Sequence, residues 1–360
     1  MLSFWGLFIF VILLIDSVEN QSSTAKSDSG DNYYITWDDV TLSSNESWLS
    51  ADYGDQNQTR IIVVNNKGGG DSLTVQGAVD MVPENNSQRV KIHILPGIYR
   101  EKVHIPLSKP YISFIGDQNK SDQTVITWHS KASDRDKNGS VVGTWNSATV
   151  TVESNYFCAS RVTIENSIQC NGTASEGYQA VALRLSSNRS MFYKVRFLGS
   201  QDTLLDEYGT HYFLECFIHG SVDFIFGYAT SLYQGCNISV GENPYAIVAQ
   251  SRDSANEDTG YSFVNCTVTG DGPVYLARAW GNYSRIIFAY SEFDIDVIPD
   301  GWSDWGDRYR DRMVVFGEYE CSGRGANRTG RVPYSKELSF EEAVPYLNTS
   351  FISGDLWLRL

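Results

Sequence analysis

The 360-residue sequence predicts an all-β fold: a single-domain parallel β-helix, a solenoid with a few short helices. Three observations carry this. From Arg60 onward, short apolar runs alternate with Gly, Asn and Ser turns, and long helical periodicity is scarce. In the middle of the chain a short segment recurs, as "YFCASRVTIENS" at 156, "MFYKVRFLGS" at 191, "YFLECFIHGS" at 212, "LYQGCNISVG" at 232, "SFVNCTVTGD" at 262 and "IFAYSEFDID" at 287. Finally, the spacing of its leading aromatic varies (35, 21, 20, 30 and 25 residues) while the segment itself stays short and constant. Stacked coils with insertions confined to loops produce this pattern.

The chain opens with "MLSFWGLFIFVILLIDS", apolar from Leu2 to Ile15. That run is short for a bilayer span and fits a signal-peptide core over residues 1–20, although its n-region lacks Lys and Arg; a signal anchor is the other reading. Asn-x-Ser/Thr sequons at Asn45, Asn57, Asn85, Asn119, Asn138, Asn171, Asn188, Asn237, Asn265, Asn282, Asn327 and Asn348 agree with a secreted glycoprotein. Asn265 is expected inside a strand and unused. Residues 21–57 are polar and low in aliphatics, so a processed or loosely ordered segment is expected there, with the β-helix domain over 58–360. "SLTVQGAVDMV" at 72–82 predicts a helix, with Leu73, Val75, Ala78 and Val82 on one face.

Within the repeat, aromatics stand at 157, 192, 213, 233, 263 and 288, and a β-branched or aromatic residue follows five positions later. Cys216, Cys236 and Cys266 share a register between them. A buried ladder of thiols and a disulfide, most simply Cys216–Cys236, are equal readings. The six cysteines suit an oxidising compartment and lack a CxxC zinc spacing. The formal net charge is -15 and no basic run appears, which argues against a nucleic-acid partner.

Chemistry enters at "GSVDFIFG", residues 220–227, where Asp223 stands in an otherwise apolar run. One coil earlier, "GSQDTLLDEYG" supplies Asp202, 21 residues before, equal to the spacing of aromatics 192 and 213. The two carboxylates should lie side by side. Like charges that close push their pKa values apart, as a nucleophile beside a general acid requires. Turn aspartates capping successive coils are an equal reading of the repeat alone. Gln179 falls one coil before Gln201, and such an amide can donate to an oxyanion or simply stack in a ladder. "VYLARAWGNYS" brings Arg278, which can hold a carboxylate ionised, and Trp280, which can face a sugar ring.

These segments resemble the plant pectin methylesterases (pectinesterases), in the shorter form without an inhibitor-like pro-region. "GIYREKV" at 97, "SATVTV" at 147, "QAVAL" at 179, "QDTL" at 201, "DFIFG" at 223, "LARAW" at 276, "GW" at 301, "GEYECSGRGA" at 317 and "RVPY" at 331 occur in family order. The resemblance implies a right-handed β-helix and hydrolysis of C6 methyl esters of homogalacturonan to de-esterified pectin and methanol. It implies Asp223 as nucleophile and Asp202 as proton donor and then base. Gln201 and Gln179 become oxyanion stabilisers, Arg278 the group that orients Asp223, and Thr144, Gln179, Arg278 and Trp280 the substrate contacts. It implies no metal or organic cofactor. It implies a secreted cell-wall enzyme that is monomeric and free of membrane once the leader is removed, with a proteinaceous inhibitor as a candidate partner. The chain departs from the pattern at Ala277 and Ala279, where the family has Gly and Pro, and at Tyr228, where it has Asn.

Two other readings compete. A catalytically silent β-helix that binds cell-wall polysaccharide would use the same architecture, and the altered arginine motif leaves it room. A pectin lyase or polygalacturonase would want a calcium-binding acidic cluster or a catalytic histidine. His93, His104, His129, His211 and His219 form no such motif.

Overall fold

A computed structural model describes residues 33–42, 60–117, 121–170 and 176–360. The apolar leader and the sequons at Asn45, Asn57, Asn119 and Asn171 lie outside the described residues.

Each coil contributes up to three short strands, because every apolar run is cut after three to five residues by a turn that only a left-handed or extended residue can make. Stacking the coils yields three parallel sheets. The long sheet has eleven strands, from Arg60–Val64 to Ser335–Glu337. The second has eight, from Val103–Ile105 to Trp302–Ser303, and the third has eight, from Gly97–Arg100 to Glu292–Asp294. All neighbouring strands are parallel, and parallel crossovers wind right-handed almost without exception. This is the expected β-helix.

The repeat register is as expected in five coils. Phe192, Phe213, Tyr233, Phe263 and Phe288 lie opposite one another in turn, and their rings stack at 4.9, 4.5, 4.6 and 4.6 Å. Phe197, Ile218, Ile238, Val268 and Phe293 form the facing ladder. The first coil is corrected by two residues. Ala159, not Phe157, lies opposite Phe192, and Ile164, not Val162, lies opposite Phe197. A slip of two keeps the same face inward, so Phe157 and Val162 remain buried.

Cys216, Cys236 and Cys266 form the buried thiol ladder, and no disulfide joins them. Their Sγ–H groups donate to the carbonyls of Phe192, Phe213 and Tyr233 one coil below. Burial raises the thiols of Cys216 and Cys266 and pushes Cys158 up to about 11 and Cys321 to about 12, so these thiols stay protonated as core.

Three further expectations are corrected. The early helix spans only Val75–Asp80, capped by Thr74 Oγ1, which accepts from Gly77 N–H at 3.0 Å. Leu73 precedes that cap and is 61% exposed rather than part of the buried face. Asn265 is not in a strand: it is an exposed turn residue with φ 53°. The polar N-terminal stretch also contains an ordered piece. Ile35–Thr36 pairs with Leu358–Arg359, and Trp37–Val40 forms a 3-10 turn. Ile35 and Val40 are sealed against the outer face of the long sheet with Met191, Leu232, Ile352 and Trp357. Two aliphatics five residues apart suffice to dock an otherwise polar segment once a greasy sheet face is available.

Candidate active site

Asp202 and Asp223 occupy equivalent turns of adjacent coils, between the third and second sheets. Gln201 bridges to Val222, Asp202 N–H donates to the Val222 carbonyl (3.0 Å), and Asp223 N–H donates to the Ala246 carbonyl (2.7 Å). Both aspartates are left-handed, with φ 64° and 48°. Asp tolerates that region better than most residues, but holding two of them there stores strain that the surrounding coil must hold in place. Gly227, which ends the strand Ile225–Gly227 after Asp223, allows the coil to close. A Cβ there would sit 2.0 Å from the Asp206 carbonyl oxygen.

The two aspartates are buried, at 8% and 9% exposed, and their carboxyl groups have different partners. Arg278 Nε donates to Asp223 Oδ1 at 2.9 Å, and its Nη2 lies 2.8 Å from Oδ2. This bidentate bond occupies both Asp223 oxygens with donors from one cation. Asp202 lacks such a partner. Burial above all, and then the charge of Asp223, raises its carboxyl well above the ordinary range, with Arg278 opposing weakly. Asp223 is thus the carboxyl paired with a cation, and Asp202 the one that holds its proton more tightly than an ordinary carboxyl.

Ala180 N–H donates to the Gln201 carbonyl at 3.0 Å, which sets Gln179 one coil from Gln201, as expected. Gln201 Oε1 accepts from Cys170 Sγ–H at 3.8 Å, leaving its amide nitrogen as the donor end. Among the described residues no hydrogen bond joins Thr144 or Gln179 to either aspartate. Thr144 sits in the short helix Gly143–Asn146, tied to the same rim because Gly143 N–H donates to Ala132, whose own N–H donates to the Gln179 carbonyl.

Arg278 projects from the strand Tyr275–Ala279. Ala277 and Ala279, the departures flanking it, are both fully buried and fill the coil interior. Side chains alternate along a strand, so the small inward pair leaves Arg278 pointing outward. Its row on the second sheet runs through Ala249, Phe226, Leu205 and Arg184. Leu205, Phe226 and Ala249 pack with Ala148, Val181 and the Trp280 ring as an apolar floor. Phe226 and Trp280 meet at 5.9 Å. At the far end a hollow of about 310 Å³ is lined by Lys102, His104, Trp145, Thr151 and Arg184.

Sequence reasoning did not single out Glu207, Trp145, Arg184, Phe226 or Trp305. Glu207 is buried and holds two groups: Trp145 Nε1 donates to it at 2.6 Å, as does Arg184 Nε. Phe226 is the floor. Trp305 covers the Arg278 guanidinium, whose carbon lies 4.0 Å from the ring centre. The adjacency of Trp145 to Thr144, and of Phe226 to the "DFIFG" aspartate, were signals available in the sequence. Trp305 had none, since it arrives from the loop that follows the next strand of the second sheet, Trp302–Ser303. Tyr228, the third departure, is 38% exposed, and its environment includes Glu207, Arg184 and Tyr208.

Two buried carboxyls on adjacent coils, one of them paired with Arg278, lie beside an apolar floor on the second sheet. Comparison with known proteins identifies the family. The pectinesterase family model matches residues 61–355. The chain is 53% identical to "Pectinesterase QRT1" of Arabidopsis thaliana, over 91% of this chain and 90% of that one. It is 41% identical to "Pectinesterase 31" of the same plant, over 84% and 96%. Among solved structures, the pectin methylesterase from carrot superposes with a TM-score of 0.74 at 35% identity, over 84% and 96% of the two chains. The Aspergillus niger pectin methylesterase gives 0.70 at 26% identity, over 83% and 95%. The chain belongs to the pectinesterase family.

Proposed function

We propose that this protein hydrolyses the C6 methyl esters of homogalacturonan through an acyl-enzyme on Asp223. The observation that carries the reading is the split pair: Asp223 held ionised by bidentate Arg278, beside Asp202 holding a proton. The Asp223 carboxylate attacks the ester carbonyl carbon. The tetrahedral oxyanion is met by the amide N–H₂ groups of Gln201 and Gln179. As the intermediate collapses, the C–OCH₃ bond breaks and Asp202 delivers its proton to the departing methoxide, releasing methanol. Asp202, now an anion, takes a proton from water attacking the acyl carbon. Collapse returns the Asp223 carboxylate to Arg278, frees the galacturonate acid and leaves Asp202 protonated again. Trp280, Thr144 and the Phe226 floor hold the sugar rings along the groove.

In the same reading the leader over 1–20 is removed and the chain acts outside the cell, in the wall, as a monomer. Homogalacturonan is its partner, and the groove is the surface that a proteinaceous inhibitor would cover. Among the described residues no helix is long and apolar enough to cross a membrane.

The test is methanol release from highly methylated pectin by the purified chain. The wild type should release methanol, and Asp223→Asn should lose at least about a thousandfold in kcat while staying folded. A folded wild type that releases none would move the assignment to a polysaccharide-binding β-helix.

A further inference from the structure

We propose that Trp305 and Arg310 form a clamp that fixes the plane of the Arg278 guanidinium, making Trp305 a positioning residue for Asp223. The inference rests on the reading of Asp223 as nucleophile and adds a requirement that reading lacks. A bidentate bond works only if the guanidinium stays coplanar with the carboxylate. Two of the Arg278 nitrogens are spent on Asp223. The third, Nη1, is buried and has no hydrogen-bond partner among the described residues. No hydrogen bond therefore holds that end of the fork in place. The Trp305 ring is the group stacked on it, 4.0 Å from the guanidinium carbon. A cation lying on an indole face gains electrostatically, and the flat contact resists tilting.

The loop is built to hold that ring in place. Trp305 itself is left-handed, with φ 55°, a conformation that an indole-bearing residue adopts only when its surroundings insist. Its N–H donates to Ser303 Oγ at 3.1 Å, and Ser303 lies opposite Arg278 in the sheet register. Arg310 also lies over the ring, its guanidinium carbon 5.5 Å from the ring centre. Arg310 Nη1 donates to the Ala279 carbonyl (2.8 Å) and the Asp304 carbonyl (3.3 Å), and its Nε donates to Asn282 Oδ1 (3.2 Å). Ala279 follows Arg278 directly. Arg310 thus joins the strand that carries Arg278 to the loop that carries Trp305.

Trp305 is 52% exposed, so a second role is open to it: stacking on a sugar. The two roles separate kinetically. A sugar platform contributes binding, and its loss raises KM. A clamp acts on the nucleophile, and its loss lowers kcat. The experiment measures kcat and KM for methanol release by wild type, Trp305→Ala, Trp305→Phe and Arg310→Gln. Alongside, the Nε–H resonance of Arg278 is followed in protein with isotope-labelled arginine. We expect Trp305→Ala to lower kcat about tenfold with KM within about twofold, Trp305→Phe to recover most of the loss, and Arg310→Gln to lower kcat about threefold. The ring-current shift of the Arg278 resonance should collapse in Trp305→Ala and persist in Trp305→Phe. A rise in KM with kcat unchanged, or a resonance indifferent to Trp305, overturns the clamp. A silent wild type whose Arg278 resonance still depends on Trp305 supports the clamp and refutes the hydrolase reading instead.

Discussion

On the outer face of the long sheet, Asp39 of the N-terminal strap meets Arg89 at 3.2 Å, and Arg89 Nη1 also donates to the carbonyls of Ile112 and Tyr156. On the second-sheet side, Asp223 meets Arg278 in comparable burial, but Asp202 is sunk beside them without a cation of its own. Both regions bury an aspartate–arginine pair against the same solenoid, on coils several turns apart. The strap pair is matched in charge and serves cohesion. The groove carries a second carboxyl with no arginine bonded to it among the described residues, and desolvation makes that carboxyl hold its proton more tightly than an ordinary one. The comparison teaches where the fold spends stability: on a group that must be able to give up a proton.

The sharpest way to break this comparison is to mutate the two groove aspartates and watch stability instead of rate. Both asparagine variants should lose activity, yet their stabilities should move apart. Asp223→Asn leaves the buried Arg278 without a counter-charge and should cost about 3 kcal/mol. Asp202 has a folded pKa above its unfolded value of about 3.9, so its contribution is full below that pH and declines as pH rises toward the folded value. Asp202→Asn abolishes that decline. Urea melts at several pH values should show the variant overtaking wild type as the medium turns neutral and alkaline. Equal destabilisation of both variants would sink the split-protonation account.

Removing the strap tests the other side. A chain beginning at Ser43 loses the burial of Ile35 and Val40 and the Asp39 partner of Arg89, and should be destabilised by about 3–5 kcal/mol. The groove is on another face, so kcat at a temperature where the truncated protein remains folded should be nearly unchanged. A truncated form with unaltered melting would show that the strap contributes nothing.

The pH profile gives a smaller effect. Because Asp202 must enter the cycle protonated, kcat/KM should fall on the alkaline side as it ionises, with a midpoint well above an ordinary carboxyl. Smallest of all is the effect of net charge. At -15 the chain should be retained less on de-esterified than on methylated pectin at low salt, and added salt should erase the difference. Equal retention at low salt would mean that the groove is locally cationic enough to cancel the overall charge.

Much of the fold was legible because a β-helix writes its period into the sequence. The aromatic at 192, 213, 233, 263 and 288 marks the coil, and the 21-residue offset of Asp202 and Asp223 follows from it. The first coil was misread by two residues because side-chain alternation has period two, and both alignments bury the same face. The apolar pattern at 72–82 overruns the helix at 75–80, because Thr74 caps it after Leu73 and the pattern does not record the cap. Within the site, the aspartates, glutamines and Arg278 were readable by their spacing and by resemblance. Glu207 and Trp305 were not. Their roles come from what they touch, Trp145 with Arg184 in one case and Arg278 in the other, across separations that no local pattern reports.

What the sequence determined by itself is the coil, its inward ladders and the adjacency of two carboxyls one turn apart, since each of these follows from strand alternation and a repeat length. What the tertiary structure alone decided is how those carboxyls differ. Arg278 arrives two coils on, with Trp305 over it, and binds only Asp223; burial leaves Asp202 to hold its proton. Protonation depends on solvent access and on charges brought near by folding, and neither is a property of a residue's place in the chain.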